Sequence, residues 1–364
     1  MRITFILPAD SLAGGIRVLA VYASELSKRG HEVTVVQPRH DRLGMRHIAK
    51  SMLKMRAWPK SPDAGPSYFD GIAFQRVKLD HVGPITDSDV PDGDIVICTW
   101  WETAEWVWGL APSKGIKAHF MQDYEIWGGN IDRVDATCRL PIYKIVIAKW
   151  VWDLLSTKFG QQPVALIPNS VDTSLFHAPR RAKQSIPTVG FTYTTMHNKG
   201  TDISIAAINL VRKKFPNLRV ICFGSSMVSR ELPLPINSEF FFHVVDKALP
   251  AIYASCDAWL FGTRIEGFGL PILEAMACRT PVIGTPAGAA PDLLSKGGGI
   301  EVAMEDVQAM AAAIIRIVDM PEREWTDMSD AGYLTATSYT WADATDKLER
   351  ALLYIKDGTT IPKA

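Results

Sequence analysis

Residues 2 to 38, RITFILPADSLAGGIRVLAVYASELSKRGHEVTVVQP, constrain the fold more than any other stretch of the chain. RITFILP is an apolar run of strand length. GGIRVLAVYASELSKRG then sets Leu19, Tyr22, Ala23 and Leu26 on one helical face, with Gly30 as its stop. HEVTVVQP reads as a second buried strand. Together they make a βαβ unit that opens a parallel sheet, and such a sheet needs further buried strands beside it.

The chain supplies them in two series. DIVICTW (94–100), KAHFMQ (117–122), YKIVIA (143–148) and PVALIP (163–168) are short apolar runs separated by helical or loop segments. A second alternation follows: PTVGFTY (187–193), a helix from about Gly200 to Lys214, LRVICFG (218–224), EFFFHVV (239–245), a helix near 248–255, DAWLFG (257–262), a helix from about Leu270, and PVIGT (281–285). A chain of 364 residues exceeds the size at which one core keeps growing. The expectation is therefore two α/β doubly wound domains in tandem, 1–175 and 176–340. A closing helix over 341–364 has Ala344, Leu348, Ala351, Leu352 and Ile355 on its apolar side. No fixed-period repeat or low-complexity segment interrupts the pattern.

Composition narrows the function classes. Basic and acidic residues balance at 39 each, so nothing points to a nucleic-acid partner. The five cysteines are scattered without C-x-x-C spacing, which argues against a disulfide framework or a zinc site and fits a reducing cytoplasm. The first apolar run is too short for a signal-peptide core, and no run reaches the roughly 18 residues of a membrane span. Residues 39–60 carry Arg39, Arg42, Arg46, Lys50, Lys54, Arg56 and Lys60 around a stripe of Met45, Ile48, Met52 and Met55. A helix of that pattern suits peripheral contact with an anionic membrane, or else packs its methionines on the sheet.

The chemistry concentrates in EGFGLPILEAMA, residues 266–277. Pro271 suits the first helical turn, Gly267 and Gly269 let the backbone approach a ligand, and the helix N-terminus favours an anion. Glu266 stands before that anion site and Glu274 just behind it. A nucleotide sugar has the matching layout, with a diphosphate between two hydroxyl-bearing rings; an ordinary loop-to-helix junction with two solvated acids is the other reading. Gly14 and Gly15 open a helix after a strand, as at a phosphate or sugar site or in a plain turn, but without G-x-G-x-x-G. Lys199 begins a helix, where it can neutralise a departing diphosphate or be an ordinary surface lysine; Arg264, two residues before Glu266, can meet phosphate or a neighbouring acid. Asp87-Ser88-Asp89 and Asp92-Gly93-Asp94 are read as turn residues, so no metal is expected. Trp100, Trp101, Trp106, Trp108, Tyr124 and Trp127, with Asp123 and Glu125 close by, form either a sugar platform or core.

RIEGFGLPILEAMACRTPVIGT, IPNSVDTSLF and the N-terminal glycine helix together resemble the retaining glycosyltransferases of the large fourth family, with their E-x7-E signature. The resemblance implies a GT-B fold, two Rossmann-like domains facing a cleft, with the last helix crossing back to the first domain. It implies that Glu274 binds the ribose, Glu266 the transferred sugar, and the Phe268, Gly269 and Leu270 amides the diphosphate, with Gly15 also on the donor. Lys199 matches the family's phosphate-binding lysine, while Thr194 stands where its companion arginine is usual. Gln122 stands near the place of a usual histidine; with Tyr124 and Trp127 it falls to the acceptor, and Asp123 to catalysis. The Gln-Asp-Tyr-Glu run is similar to one in bacterial rhamnosyltransferases.

The expected activity is cytoplasmic transfer, with retention, from a nucleotide-diphosphate sugar (dTDP-rhamnose or a UDP- or GDP-hexose) to a saccharide or lipid-linked saccharide. No cofactor is needed, and Lys199, Arg264 and the helix N-terminus stabilise the leaving diphosphate. The alternatives are a nucleotide-sugar 2-epimerase on the same fold and a non-catalytic sugar-nucleotide-binding protein.

Overall fold

The computed structural model describes residues 1–9, 13–39, 67–72 and 74–358. Beyond Arg39, the basic stretch 39–60 lies outside the described residues. The chain divides into two compact units, Met1–Ile167 with Thr345–Ala364, and Pro168–Ala344.

The first unit runs β1 (Arg2–Ile6), α1 (Gly14–Lys28), β2 (Glu32–Gln37), β3 (Gln75–Lys78), β4 (Ile95–Cys98), α2 (Trp101–Gly109), β5 (Ile116–Met121), α3 (Ile131–Arg139), β6 (Tyr143–Val146), α4 (Lys149–Phe159) and β7 (Ala165–Leu166). All its pairings are parallel, in the order β3-β2-β1-β4-β5-β6-β7. Helices on the sheet faces bury the strands on both sides, which is why β4 reads as unbroken Ile-Val-Ile-Cys. β3, with the half-polar sequence QRVK, is an edge strand that carries no apolar signature.

The second unit runs β8 (Thr188–Thr192), α5 (Thr201–Val211), β9 (Arg219–Gly224), β10 (Ser238–Phe242), α6 (Leu249–Ala254), β11 (Ala258–Phe261), α7 (Leu270–Ala277), β12 (Val282–Gly284), α8 (Ala290–Leu293), β13 (Gly299–Glu301), α9 (Val307–Asp319) and α10 (Glu322–Thr337). Its sheet is again parallel, β10-β9-β8-β11-β12-β13. The run EFFFHVV proves to be an edge strand: Phe241 and Phe242 are exposed, and His243 ends it with a φ of 50°.

Helix α11 (Trp341–Asp357) closes the described chain. Ala344, Leu348, Ala351, Leu352 and Ile355 are buried as its apolar periodicity requires. Its Glu349 receives Arg29 Nη1 at 2.8 Å and His31 Nε2 at 2.7 Å, pinning the helix to the turn between α1 and β2. No helix among the described residues is long and apolar enough to cross a membrane.

Both sheets reverse their strand order between the first and fourth strands of their unit. The loops at the carboxyl ends of those strands border the crevice where ligands usually bind in such sheets. In the second unit these are the loops after β8 and β11.

Candidate active site

The loop after β8 carries Lys199 and the loop after β11 carries Glu266, and backbone proximity brings them together. Gly200 has a φ of 60°, and a Cβ there would overlap the Gly262 carbonyl oxygen. Asn198 O accepts from Arg264 N at 2.8 Å and from Ile265 N at 3.2 Å. Across this seam Lys199 Nζ meets Glu266 Oε2 at 2.8 Å, with the two side chains 33% and 20% exposed, so both remain open to a ligand. Thr194 lies on the same loop, but its Oγ1 already accepts from Met196 N at 3.2 Å.

Next comes the turn into α7. Gly269, with a φ of 99°, is the N-cap, and Pro271 occupies the first turn, where its missing N–H costs nothing. The amides of Phe268, Gly269 and Leu270 donate no hydrogen bond to the described residues. Gly288 packs on this turn, where a Cβ would meet Phe268 O at 2.7 Å, and Ala289 N donates to Phe268 O at 2.8 Å. Glu274, one turn into the helix, is only 4% exposed. Its Oε2 accepts from Tyr253 Oη at 2.8 Å. Tyr253 is itself fixed edge-on against Trp259, Phe223 and Phe176. A buried carboxylate needs such a donor. Tyr253 was not singled out in the sequence, because it lies 21 positions before its partner.

Arg264 departs from expectation. Its Nη1 donates to His197 O at 2.7 Å and to Asp202 Oδ1 at 2.8 Å, its Nη2 to Asp202 Oδ2 at 2.7 Å and Glu305 Oε2 at 3.0 Å, and its Nε to Glu305 Oε1. The hydrogen bonds of Asp202 and Glu305 raise the guanidinium further above its ordinary range, and both carboxylates are held below theirs. The arginine expected to face a diphosphate is occupied by two acids far away in sequence.

In the first unit, Gln122 follows β5 and its Nε2 donates to Gly15 O at 3.2 Å, so these two candidates do meet. Asp123 Oδ2 accepts from Trp127 Nε1 at 3.0 Å. Trp127 is 48% exposed and sits edge-on to Trp100, with centroids 5.3 Å apart. The Tyr124 hydroxyl is engaged by Asp135 and, at 2.5 Å, by Lys158 Nζ, which ties its loop to α3 and α4. Glu125 is buried; its Oε2 accepts from Trp101 N at 2.7 Å, and burial raises its carboxyl well above the usual range. Trp101 is core, whereas Trp100 and Trp127 keep partly open faces. The Asp-x-Asp residues have local partners: Asp89 caps Thr86, Asp92 pairs with Lys114 at 2.8 Å, and Asp94 accepts from Arg2 N at 2.7 Å.

Sucrose-phosphate synthase from Thermosynechococcus elongatus superposes with a TM-score of 0.76 at 18% identity, covering 99% of this chain and 100% of that one, which shows a shared fold. Two parallel Rossmann-like sheets with that likeness define a GT-B fold. Residues 186–320 match the family model described as Glycosyl transferases group 1. The chain is similar to O-antigen chain mannosyltransferase B of Escherichia coli, 32% identical over 104 residues, 28% of this chain and 26% of that protein. It is also similar to the lipopolysaccharide core biosynthesis mannosyltransferase LpcC of Rhizobium leguminosarum bv. viciae, 28% identical over 185 residues, 46% of this chain and 53% of that protein. The chain thus spans between a quarter and about half the length of these relatives. The family match is thus confined to the second unit, and the likeness that spans the whole chain is one of fold.

Proposed function

We propose that the protein transfers a hexosyl group, mannosyl first among the candidates, from a nucleotide-diphosphate sugar to a saccharide or lipid-linked saccharide, with retention of configuration. One observation carries the donor site: Lys199 and Glu266 meet at the mouth of α7 while Glu274 lies buried one turn behind, at the crevice of the second sheet. The names of the two relatives support mannose, and rhamnose from dTDP-rhamnose is the competing donor.

In this reading the diphosphate lies against the amides of residues 268–270 and the helix N-terminus, where backbone donors are already oriented. Lys199 neutralises the charge that grows on the diphosphate as the glycosidic bond breaks. Glu266 is then released from Lys199 to accept from a sugar hydroxyl. Glu274, oriented by Tyr253, accepts from the ribose. The acceptor oxygen attacks on the face the diphosphate leaves, and its proton passes to the departing phosphate oxygen. Trp127 and Asp123 offer an aromatic face and a carboxylate to an acceptor sugar. A lipid-linked acceptor would give the basic stretch 39–60 a role at an anionic bilayer, which co-sedimentation with anionic vesicles at low salt tests; protein left in the supernatant rejects it.

The decisive measurement is calorimetry with GDP-mannose, UDP-glucose and dTDP-rhamnose, followed by product analysis with the donor that binds. Glu274→Ala should weaken nucleotide affinity roughly 10-fold or more, since hydrogen bonds to a charged group are worth about 1.5–3 kcal/mol. Equal affinity in the variant removes the ribose role. Free epimerised nucleotide sugar formed without acceptor replaces transfer by 2-epimerisation.

A further inference from the structure

We infer that Arg264 is a positioning residue that locks the turn bearing Lys199 against the loop bearing Glu266, and is not a ligand of the diphosphate; this rests on reading the crevice as a donor site. A guanidinium has five N–H donors in a rigid fork. Here all five are used: one by His197 O, two by Asp202 and two by Glu305. None is left for a phosphate oxygen. The side chain is also only 10% exposed, and its two carboxylates outnumber its single charge, so the cluster as a whole repels an anion.

The partners explain what the cluster does instead. His197 lies on the turn that ends in Lys199, Asp202 in the first turn of α5, and Glu305 on the turn between β13 and α9. One side chain therefore ties the loop after β11 to three other segments. The main chain adds to the tie, since Arg264 N and Ile265 N both donate to Asn198 O. Lys199 is two residues beyond His197, and Glu266 two residues beyond Arg264. The Lys199–Glu266 separation of 2.8 Å is thus set by the clamp between their neighbours. Glu305 holds a φ of 62°, a left-handed conformation that a non-glycine residue keeps only where its surroundings fix it.

The chemical benefit is preorganisation. Lys199 has a flexible four-carbon stem, and an ammonium already fixed at its base loses less freedom when the diphosphate arrives. Thr194 takes the place of the arginine usual in the resembling family, so the site leans on Lys199 alone among these side chains, and the position of that one cation matters more.

The test is a double-mutant cycle with a ligand-free companion measurement. In kcat, Arg264→Met should cost about 10-fold or more in the wild-type background but no more than about 2-fold beside Lys199→Ala, because a residue acting through Lys199 has nothing left to position. Equal factors in both backgrounds overturn the inference. Arg264→Lys keeps the charge but loses the fork and should not restore kcat; full restoration also overturns it. Asp202→Asn and Glu305→Gln should weaken affinity for GDP, UDP or dTDP, whichever the wild type binds. Tighter binding would mean that the freed guanidinium reaches the diphosphate, and the clamp is then wrong. Hydrogen exchange of the amides in residues 196–201, measured without nucleotide, should quicken at least several-fold in Arg264→Met, with the global melting transition retained. Unchanged exchange overturns the clamp whatever the kinetics. A wild type that binds no nucleotide sugar instead overturns the donor-site reading, and the exchange result still decides the clamp.

Discussion

The two units share a sheet order, yet the loops at the carboxyl ends of their strands are built differently. In the second unit, main chain packs on main chain: Gly200 against Gly262 and Gly288 against Phe268 O, with Arg264 binding the segments by its fork. In the first unit, main chain packs on indole rings: Gly128 lies on Trp100 and Gly129 on Trp101, with no room for a Cβ at either. Backbone contact gives a stiff rim with oriented amides, which suits a diphosphate common to all nucleotide sugars. Indole contact leaves Trp127 half-exposed, with its Nε1 held by Asp123 and its ring edge-on to Trp100, a face that would suit the acceptor sugar proposed above.

The contrast can be broken first at Gly200→Ala. The new Cβ would overlap Gly262 O at a φ of 60°. Overpacking and left-handed strain together should destabilise the second unit by about 3 kcal/mol or more. A thermal melt close to wild type would show that the seam between the two loops is soft. Next, Lys199→Ala should lower kcat about 100-fold, with a smaller effect on donor KM, because its charge matters most as the diphosphate departs. Steady-state kinetics with unchanged kcat would remove Lys199 from the chemistry.

Acid should separate the two units further. Register sets Cys98, His119 and Lys144 side by side on β4, β5 and β6, inside the first unit. Burial, with the nearby Lys144 charge, lowers His119 from 6.5 to about 3. The folded state keeps this ring neutral, whereas the unfolded chain binds a proton below about pH 6.5. Stability therefore falls as pH drops from 6.5 towards 3, by about 2 kcal/mol at pH 5. His119→Leu should shrink the loss between pH 7 and pH 5 by that amount in denaturant titrations of the first unit; an unchanged loss would assign the acid sensitivity to other groups. The smallest effect belongs to Trp127→Ala, which should raise acceptor KM roughly 5-fold, for about 1 kcal/mol of stacking, without changing nucleotide affinity. A change in nucleotide affinity would erase the division of labour between the two rims.

The interior strands were legible because burial on both faces demands unbroken apolar runs, as in β4 and β11. β3 was not, since an edge strand needs no second apolar neighbour and can carry QRVK; β10 was read as a strand from EFFFHVV, but nothing in that run marked it as an edge that exposes two phenylalanines. In the candidate site, Gly269, Pro271 and the two glutamates could be read because a turn into a helix is a local event, complete within a dozen residues. Tyr253 behind Glu274, and Asp202 and Glu305 around Arg264, gave no such signal.

By itself, then, the sequence determined the parallel α/β architecture, the glycine-bearing turn into α7 and the identity of the charged groups near it, since each depends on backbone preference or on periodicity within one segment. The tertiary structure alone decided how those charges are paired. The net state of Arg264 depends on acids 62 and 41 positions away, brought to it by the order of the strands. A cation's role follows from its neighbours in space, and in a parallel sheet those neighbours come from separate crossovers, so no local pattern could have revealed that Lys199 keeps its charge within reach of a ligand while Arg264 is occupied in holding the loops together.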